Sequence, residues 1–289
     1  MPFVVILMLA AAQDRAALSN EFVRIAADSG GRAGVFAEVL ESGESAAVND
    51  RERFPMQSVY KLPIAMTVLD QADKKSITLN EKVPLTTKNL VPAGVHSPIR
   101  DAHPQGGIEI SVRDLIRAAI VDSDGTASDV LLKVAGGTAR CNAYLRGLGI
   151  TDMAIETTEA EMSRDPMAQY RNFSTPSAAV ALLKALQSGR AVSPAARDLL
   201  MKDLSDSKPG PKRLKGLLPA GTLVAHKTGT DGTHDGLTRA TNDIGIVTLP
   251  NGRHAAIAVF IKDSTADEAT REATIAKIAQ AVWNAWAGR

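Results

Sequence analysis

Ser58-Val59-Tyr60-Lys61 sets a hydroxyl and an amine three residues apart, and on a helix residues at that spacing share a face. A serine hydroxyl is a poor nucleophile until a base takes its proton. A lysine can be that base when burial or a nearby cation lowers its pKa. At a helix N-terminus the free backbone N–H groups also favour a developing oxyanion. Ser58 follows Phe54-Pro55-Met56-Gln57 and leads into the apolar run LPIAMTVL, where Pro63 is tolerable if it stands near the first turn. A second S-x-x-K, Ser205-Asp206-Ser207-Lys208, runs straight into Pro209-Gly210-Pro211 and reads as a loop. Taken alone, Ser58 reads better as an N-cap serine than as a nucleophile.

Two more clusters carry chemistry in the same conditional way. Lys227-Thr228-Gly229-Thr230 closes a predicted strand. Its lysine can meet a substrate anion and hold down the pKa of a second lysine, and Gly229 lets a ligand lie along the strand edge. In isolation it is an ordinary strand end entering a turn. Ser123-Asp124-Gly125 falls between two predicted helices, and every residue in it also suits an inter-helix turn with N-cap chemistry.

The elements that must hold these residues follow from periodicity. Residues 14–29 read as a helix with Leu18, Phe22 and Ile25 on one face. Strands are predicted at 33–40 and 46–54. Ser111, with Asp114 three residues on, caps a helix whose inner face is Val112, Leu115, Ile116, Ala119 and Ile120. Further helices fit 126–135, 138–147, 176–188 and 194–203. Strands return at 221–227, 241–249 and 254–262. Thr265 and Glu268 are placed for a capping box on a last helix with Ile275, Ile278, Ala279, Val282 and Trp286 inside. This order is not the alternation of a parallel sheet. Strands from both ends of the chain join most simply into one antiparallel sheet of an α+β fold, with N- and C-terminal helices on it and an inserted helical lobe. A cleft between two such lobes is the usual place for a small-molecule site.

Composition narrows the function. The chain has 289 residues, long enough for a sizeable core without staples. Aromatics are 4% against 45% hydrophobic residues, so that core is aliphatic. Lys+Arg 33 against Asp+Glu 32 argues against a general nucleic-acid binder. Cys141 is the single cysteine, which excludes an intramolecular disulfide and a cysteine-based zinc site. His103, His234 and His254 show no metal-ligand spacing. Residues 2–12 are apolar and too short to span a bilayer, and Ala10 and Ala12 fit an A-x-A site, so a signal peptide over 1–12 is expected. The alternative is an apolar tail packed on the domain.

Together and in this order, the three motifs resemble those of the class A serine β-lactamases, within the penicillin-recognising serine enzymes. PMQSVYKLPIA, RLKGLLPAGTLVAHKTGT and ATNDIGIVTLPNGR are similar to the extended-spectrum subgroup. The resemblance implies a single domain over 13–289, with an α/β lobe at about 13–60 and 212–289 and a helical lobe at about 61–211. It implies Ser58 as nucleophile, Lys61, Ser123 and Lys227 in proton transfer, and the backbone of Ser58 and Thr230 as oxyanion hole. It adds a glutamate for the deacylating water. Glu156, Glu159 and Glu161 compete for that role, and Glu159 is the best match. Arg213 matches a carboxylate-holding arginine, with Arg239 as fallback. Thr228, Gly229 and Thr230 line the substrate, and His96 stands where the family has an aromatic residue at the cleft mouth. Gly125 replaces the asparagine of S-D-N, and Ser163 replaces a water-holding asparagine. His226 is expected to tune the strand end rather than move protons.

The implied activity is hydrolysis of penicillins and cephalosporins through a Ser58 acyl-enzyme by a secreted or periplasmic monomer. No cofactor or metal, no nucleic acid and no membrane after signal removal are implied. The alternatives are a D-alanyl-D-alanine peptidase and a non-catalytic β-lactam or cell-wall binding module. Glu159 counts against the first. Intact Ser58, Lys61 and Lys227 count against the second.

Overall fold

The computed structural model describes residues 15–288, so the segment expected to be a signal peptide lies outside the described residues. The chain forms two compact units. One comprises residues up to Phe54, Thr175–Lys184 and Gly210 onward, and the other comprises Pro55–Ser174 and Ala185–Pro209.

The first unit is built on a five-stranded sheet. Its order is Ser45–Val48, Arg32–Val39, His254–Lys262, Thr241–Thr248, Val224–Thr230, and every neighbour is antiparallel. Alternation along the strands sends Val35, Ala37, Val39, Ile257, Val259 and Ile261 to one face. Leu18, Phe22 and Ile25 of the helix over 15–26 pack there, as do Ile275, Ile278, Ala279, Val282 and Trp286 of the helix Glu268–Trp286. All of these are 5% exposed or less, which makes this the core of the unit. On the sheet's other face Phe54 stacks on Phe260, with ring centroids 5.9 Å apart. A side chain at Gly34 would meet Phe54 at 2.4 Å and Pro176 at 3.0 Å, so the glycine lets both approach. That contact, the Ser177 N–H bond to the Asp50 carbonyl and the Lys184–Glu38 ion pair draw Thr175–Lys184 into the sheet unit.

The last helix is capped differently from the expectation. Asp267, not Thr265, is its N-cap, and the Asp267 carboxylate accepts from the Thr270 N–H at 2.8 Å. Thr265 is instead bonded back to the Gly30 carbonyl. An ionised aspartate at an N-cap also meets the positive end of the helix dipole.

The second unit is helical. Lys61–Asp73 is buried on every side, with Leu62, Ile64, Ala65, Met66, Val68 and Leu69 fully inside. Such a helix is the centre of its unit rather than an amphipathic cover. Pro63 sits in its first turn, where its missing N–H costs nothing. Val112–Val121 and Gly125–Val134 pack on it. Ser111 caps the first of these by accepting from the Asp114 N–H at 3.0 Å, and the whole predicted inner face is buried or nearly so. Arg113 and Arg117 converge on the fully buried Asp203 of the helix Pro194–Ser205. A two-stranded antiparallel pair, Lys82–Thr86 with Gly106–Ser111, was not expected from the sequence. These two units give an α+β fold, an antiparallel sheet with terminal helices and a helical insertion.

Candidate active site

In the helical unit the S-x-x-K turn is a 3-10 segment, Gln57–Tyr60, that passes directly into the helix beginning at Lys61. Gln57 takes a left-handed φ of 45°, which turns the chain sharply just before Ser58. Ser58 is half-buried, while Lys61 is 2% exposed. A lysine so deeply buried requires partners. Its Nζ donates to the Ser123 carbonyl at 2.6 Å and lies 2.9 Å from Glu159 Oε1. Oε1 has no aligned hydrogen-bond donor, so this contact acts through charge rather than through a directed bond.

Ser123 can present its carbonyl to Lys61 because its φ is 58°, a conformation a serine adopts at a cost. Asp124 holds that turn. Its buried carboxylate accepts from the Ala127 N–H at 2.8 Å, the Ile99 N–H at 2.7 Å and the Ser97 hydroxyl at 3.0 Å. The N-cap chemistry expected of Ser123-Asp124-Gly125 is therefore present, and the same turn sets the Ser123 carbonyl against Lys61. Gly125 gives its N–H to the His96 carbonyl at 2.9 Å. The exposed His96 ring is 2.9 Å from the Asp122 carbonyl, which anchors it beside the same turn.

The three competing glutamates separate cleanly. Glu156 is exposed and 3.6 Å from Arg171. Glu161 closes a capping box with Thr158, and the Thr158 N–H holds its carboxyl below the usual range. Glu159 is 9% exposed and meets Lys61. Its short helix, Glu159–Met162, is fixed by a residue the sequence reading passed over. Asp129 Oδ1 accepts from the Glu159 N–H at 2.8 Å and Oδ2 from the Ala160 N–H at 3.1 Å. Burial pushes the Asp129 carboxyl up to about 6, against the pull of those two N–H groups. Asn172 fixes the start of the loop, accepting from the N–H groups of Glu156 and Thr157. The Ser163 hydroxyl donates to the Ala160 carbonyl at 2.9 Å, so its proton is committed and its lone pairs remain for a water.

In the sheet unit Lys227-Thr228-Gly229-Thr230 forms the end of the strand Val224–Thr230. Lys227 and Thr228 are buried and Thr230 is exposed. Arg213 reaches the same strand. It is 3% exposed, its Nε donates to Glu272 at 3.2 Å, and its Nη1 donates to the carbonyls of Asn242 at 3.0 Å and Gly229 at 3.4 Å. Nη2 is left over for a ligand. Arg239, the fallback, has a buried Nη1 with no hydrogen-bond partner among the described residues. His226 is buried against Asp243, with Nδ1 2.9 Å from both carboxylate oxygens. Gly245, opposite His226 in the register, gives it room, since a side chain there would meet the His226 Cβ at 2.8 Å. Cys141 is fully buried and burial pushes its thiol up to about 11, so it offers no thiolate nucleophile. Among the described residues no helix is long and apolar enough to cross a membrane.

The family model of the β-lactamase enzyme family matches residues 17–286. The chain is 40% identical over 240 residues to the extended-spectrum β-lactamase PER-1 of Pseudomonas aeruginosa, covering 83% of this chain and 78% of that one. It is 43% identical to a solved β-lactamase from Chitinophaga pinensis, with a TM-score of 0.90 over 93% of this chain and 99% of that one. The solved TLA-3 extended-spectrum β-lactamase gives a TM-score of 0.91 at 38% identity, covering 94% and 99%. With the buried lysine of its S-x-x-K segment paired to a buried glutamate, the chain belongs to the class A serine β-lactamases and hydrolyses β-lactam rings.

Proposed function

We propose that Ser58 is the nucleophile and that Lys61 and Glu159 share the proton that activates it. The single observation that carries this is the 2.9 Å contact between two buried, oppositely charged groups, Lys61 and Glu159. A proton passed from Lys61 to Glu159 leaves a neutral amine one helical turn from Ser58. That amine takes the Ser58 proton as Oγ bonds to the lactam carbonyl carbon. The backbone N–H groups of Ser58 and Thr230 stabilise the oxyanion. Collapse breaks the lactam C–N bond, and Ser123 with Lys227 delivers a proton to the departing nitrogen. Ser123 regains its proton from Lys61 and Lys61 from Glu159, so Glu159 is again a carboxylate; it then takes a proton from water as the water oxygen bonds to the ester carbon, and that proton passes to the departing Ser58 oxygen as the ester C–O bond breaks.

Arg213, Thr228 and Lys227 hold the substrate carboxylate, with Gly229 giving the ligand access to the strand backbone. An arginine fork suits a carboxylate. Gly125 removes the amide an asparagine would offer, the expected extra space being taken by Val95, whose Cγ1 would lie 2.7 Å from a Cβ at this position, and Ser163 holds the deacylating water with fewer donors. Penicillins and cephalosporins are the substrates this reading favours, on the strength of Thr230 and the similarity to extended-spectrum enzymes. The apolar segment ending in Ala10 and Ala12 supports export, cleavage after Ala12 and a periplasmic or secreted location, and the family resemblance implies a monomer. The near-zero net charge supports a small-molecule partner rather than nucleic acid.

The test is turnover of a chromogenic cephalosporin together with mass spectrometry. The wild type turns over many times. Glu159→Ala acylates more slowly, because Lys61 loses its proton acceptor, and then stalls with one adduct on Ser58. If Glu159→Ala turns over normally while Glu156→Ala or Glu161→Ala stalls, the assignment of the base is wrong.

A further inference from the structure

Gln57 stands immediately before Ser58 in the left-handed region, at a φ of 45°, where a residue with a side chain is held at a cost. Such a conformation persists only where its surroundings over-determine it. Here the bonds that do so come from the loop that follows Glu159. The Met56 N–H donates to the Asn172 carbonyl at 2.8 Å. The Gln57 amide nitrogen donates to Gln169 Oε1 at 2.8 Å, across 112 positions of sequence. Gln169 lies in the 3-10 segment Pro166–Arg171 and is 1% exposed, and its own amide nitrogen donates to the Pro166 carbonyl at 2.7 Å. A carbonyl only accepts, so Pro166 fixes which way the Gln169 amide points, and the Gln169 oxygen in turn fixes the Gln57 amide. The result is a directed chain from Gln57 through Gln169 to Pro166, with one order of donors and acceptors.

We propose that Gln57 and Gln169 are positioning residues for Ser58: their amide chain holds Gln57 in its left-handed conformation and so fixes the direction of the Ser58 N–H. That N–H belongs to the planar peptide between Gln57 and Ser58, so the dihedrals of Gln57 orient it. Ser58 is the second residue of the 3-10 segment Gln57–Tyr60, and its N–H therefore has no acceptor inside the turn and is left for an oxyanion. Without the clasp Gln57 relaxes towards negative φ, and the N–H turns away from the place where charge develops. A misplaced donor loses most of what preorganisation supplies. The same N–H serves the tetrahedral species of both half-reactions, so the clasp acts on acylation and deacylation alike. In this it differs from the loss of Glu159, which leaves acyl-enzyme stalled on Ser58. The clasp also ties the nucleophile turn to the loop that carries Glu159 and Ser163, within the helical unit.

This inference rests on the reading of Ser58 as the nucleophile, and its test separates the two. Gln57→Met removes the amide and keeps the length of the side chain. The expected result is acylation and deacylation each slowed about tenfold, the worth of one hydrogen bond. kcat and kcat/KM then fall together while KM holds, and acyl-enzyme does not build up beyond the wild-type level. Gln57→Gly also removes the amide but takes a positive φ without steric cost, so its rates return to within about threefold of wild type. Gln169→Met slows both steps as Gln57→Met does, and the double variant is no slower than either single one. A merely structural clasp would lower the Tm and leave the rates of the folded protein unchanged, so wild-type rates in Gln57→Met overturn the proposal. Gln57→Gly as slow as Gln57→Met, or losses that multiply in the double variant, overturn it too. Gln57 is half-buried, and its two variants carry the test even if Gln169→Met does not fold. Turnover by Ser58→Ala would sink the nucleophile reading and the proposal with it. No turnover by Ser58→Ala together with wild-type rates in Gln57→Met would sink the clasp alone.

Discussion

Asp129 grips the backbone of Glu159 with a bidentate carboxylate, at 2.8 Å to the Glu159 N–H and 3.1 Å to the Ala160 N–H. The two residues lie thirty positions apart, on different helices. A carboxylate at a helix N-terminus satisfies two donors that no intrahelical partner can reach. Glu159 is therefore positioned from behind, by its own main chain, before its side chain meets Lys61.

The cost of that arrangement gives the first prediction. Burial raises the Asp129 carboxyl from 3.8 to about 6. A group whose folded pKa lies above its unfolded value binds its proton more tightly in the fold. Its contribution to stability is complete below pH 3.8 and is lost as pH rises through about 6. Asp129→Asn has no such titration. Thermal melts from acid to neutral pH should show the wild type losing about 3 kcal/mol relative to Asp129→Asn across that window. A stability difference that stays flat with pH would show that Asp129 titrates as an ordinary surface carboxyl.

Gly125 gives the second. A Cβ at this position would lie 2.7 Å from Val95 Cγ1, 3.1 Å from the His96 carbonyl and 3.5 Å from Glu159 Cγ. Gly125→Asn therefore does more than restore an amide. It should destabilise the protein by about 1–3 kcal/mol through overpacking and change the substrate and inhibitor profile. Adding Val95→Ala should recover part of the lost Tm. Full stability in Gly125→Asn alone would mean that Val95 moves aside freely, and an unchanged profile would mean that this position does not shape substrate choice.

How much of this was legible before the structure depended on the range of the interaction. The Ser111 cap and the buried stripe Val112, Leu115, Ile116, Ala119 and Ile120 follow from spacing within one helix, and they were read correctly. The strand His254–Lys262 declared itself through a nearly unbroken apolar run, as a strand covered on both faces does. Thr265 and Glu268 had the right types for a capping box, but Asp267 competed for the same turn and its carboxylate is the better cap. Asp129 could not be found this way. It looks like a polar residue on a helix, and its role lies in contacts with residues 30 and 31 positions away. Lys82–Thr86 and Gly106–Ser111 were missed because no short turn joins them and each strand buries little.

Arg213 and Arg239 give the third prediction. Arg213 has spent Nε and Nη1 on Glu272 and two strand carbonyls, which pre-orders the guanidinium and leaves Nη2 for a ligand. Arg213→Ala should raise KM for an anionic β-lactam about tenfold or more, the worth of a charged hydrogen bond, with a smaller change in kcat. It should also lower the Tm, since Glu272 and two carbonyls lose their donor. Arg239→Ala should change KM less than about twofold by the same measure. The opposite ranking in steady-state kinetics would transfer the carboxylate to Arg239.

The last prediction concerns the foundation under Lys227. Asp243 is fully buried on the strand Thr241–Thr248, and it accepts from two segments at once. The His226 ring nitrogen Nδ1 lies 2.9 Å away, and the Leu214 N–H, next to Arg213, donates at 3.2 Å. One carboxylate thus ties the residue before Lys227 to the residue after Arg213. Removing it strands a buried ring N–H and a buried backbone N–H together. Asp243→Ala should cost about 3–5 kcal/mol, as breaking a buried polar pair does. Asp243→Asn keeps one carbonyl oxygen for a donor and should cost clearly less. Urea unfolding of the two variants measures both costs directly, and equal losses in Ala and Asn would show that the charge of Asp243, not its hydrogen bonds, holds the strand to the Arg213 segment.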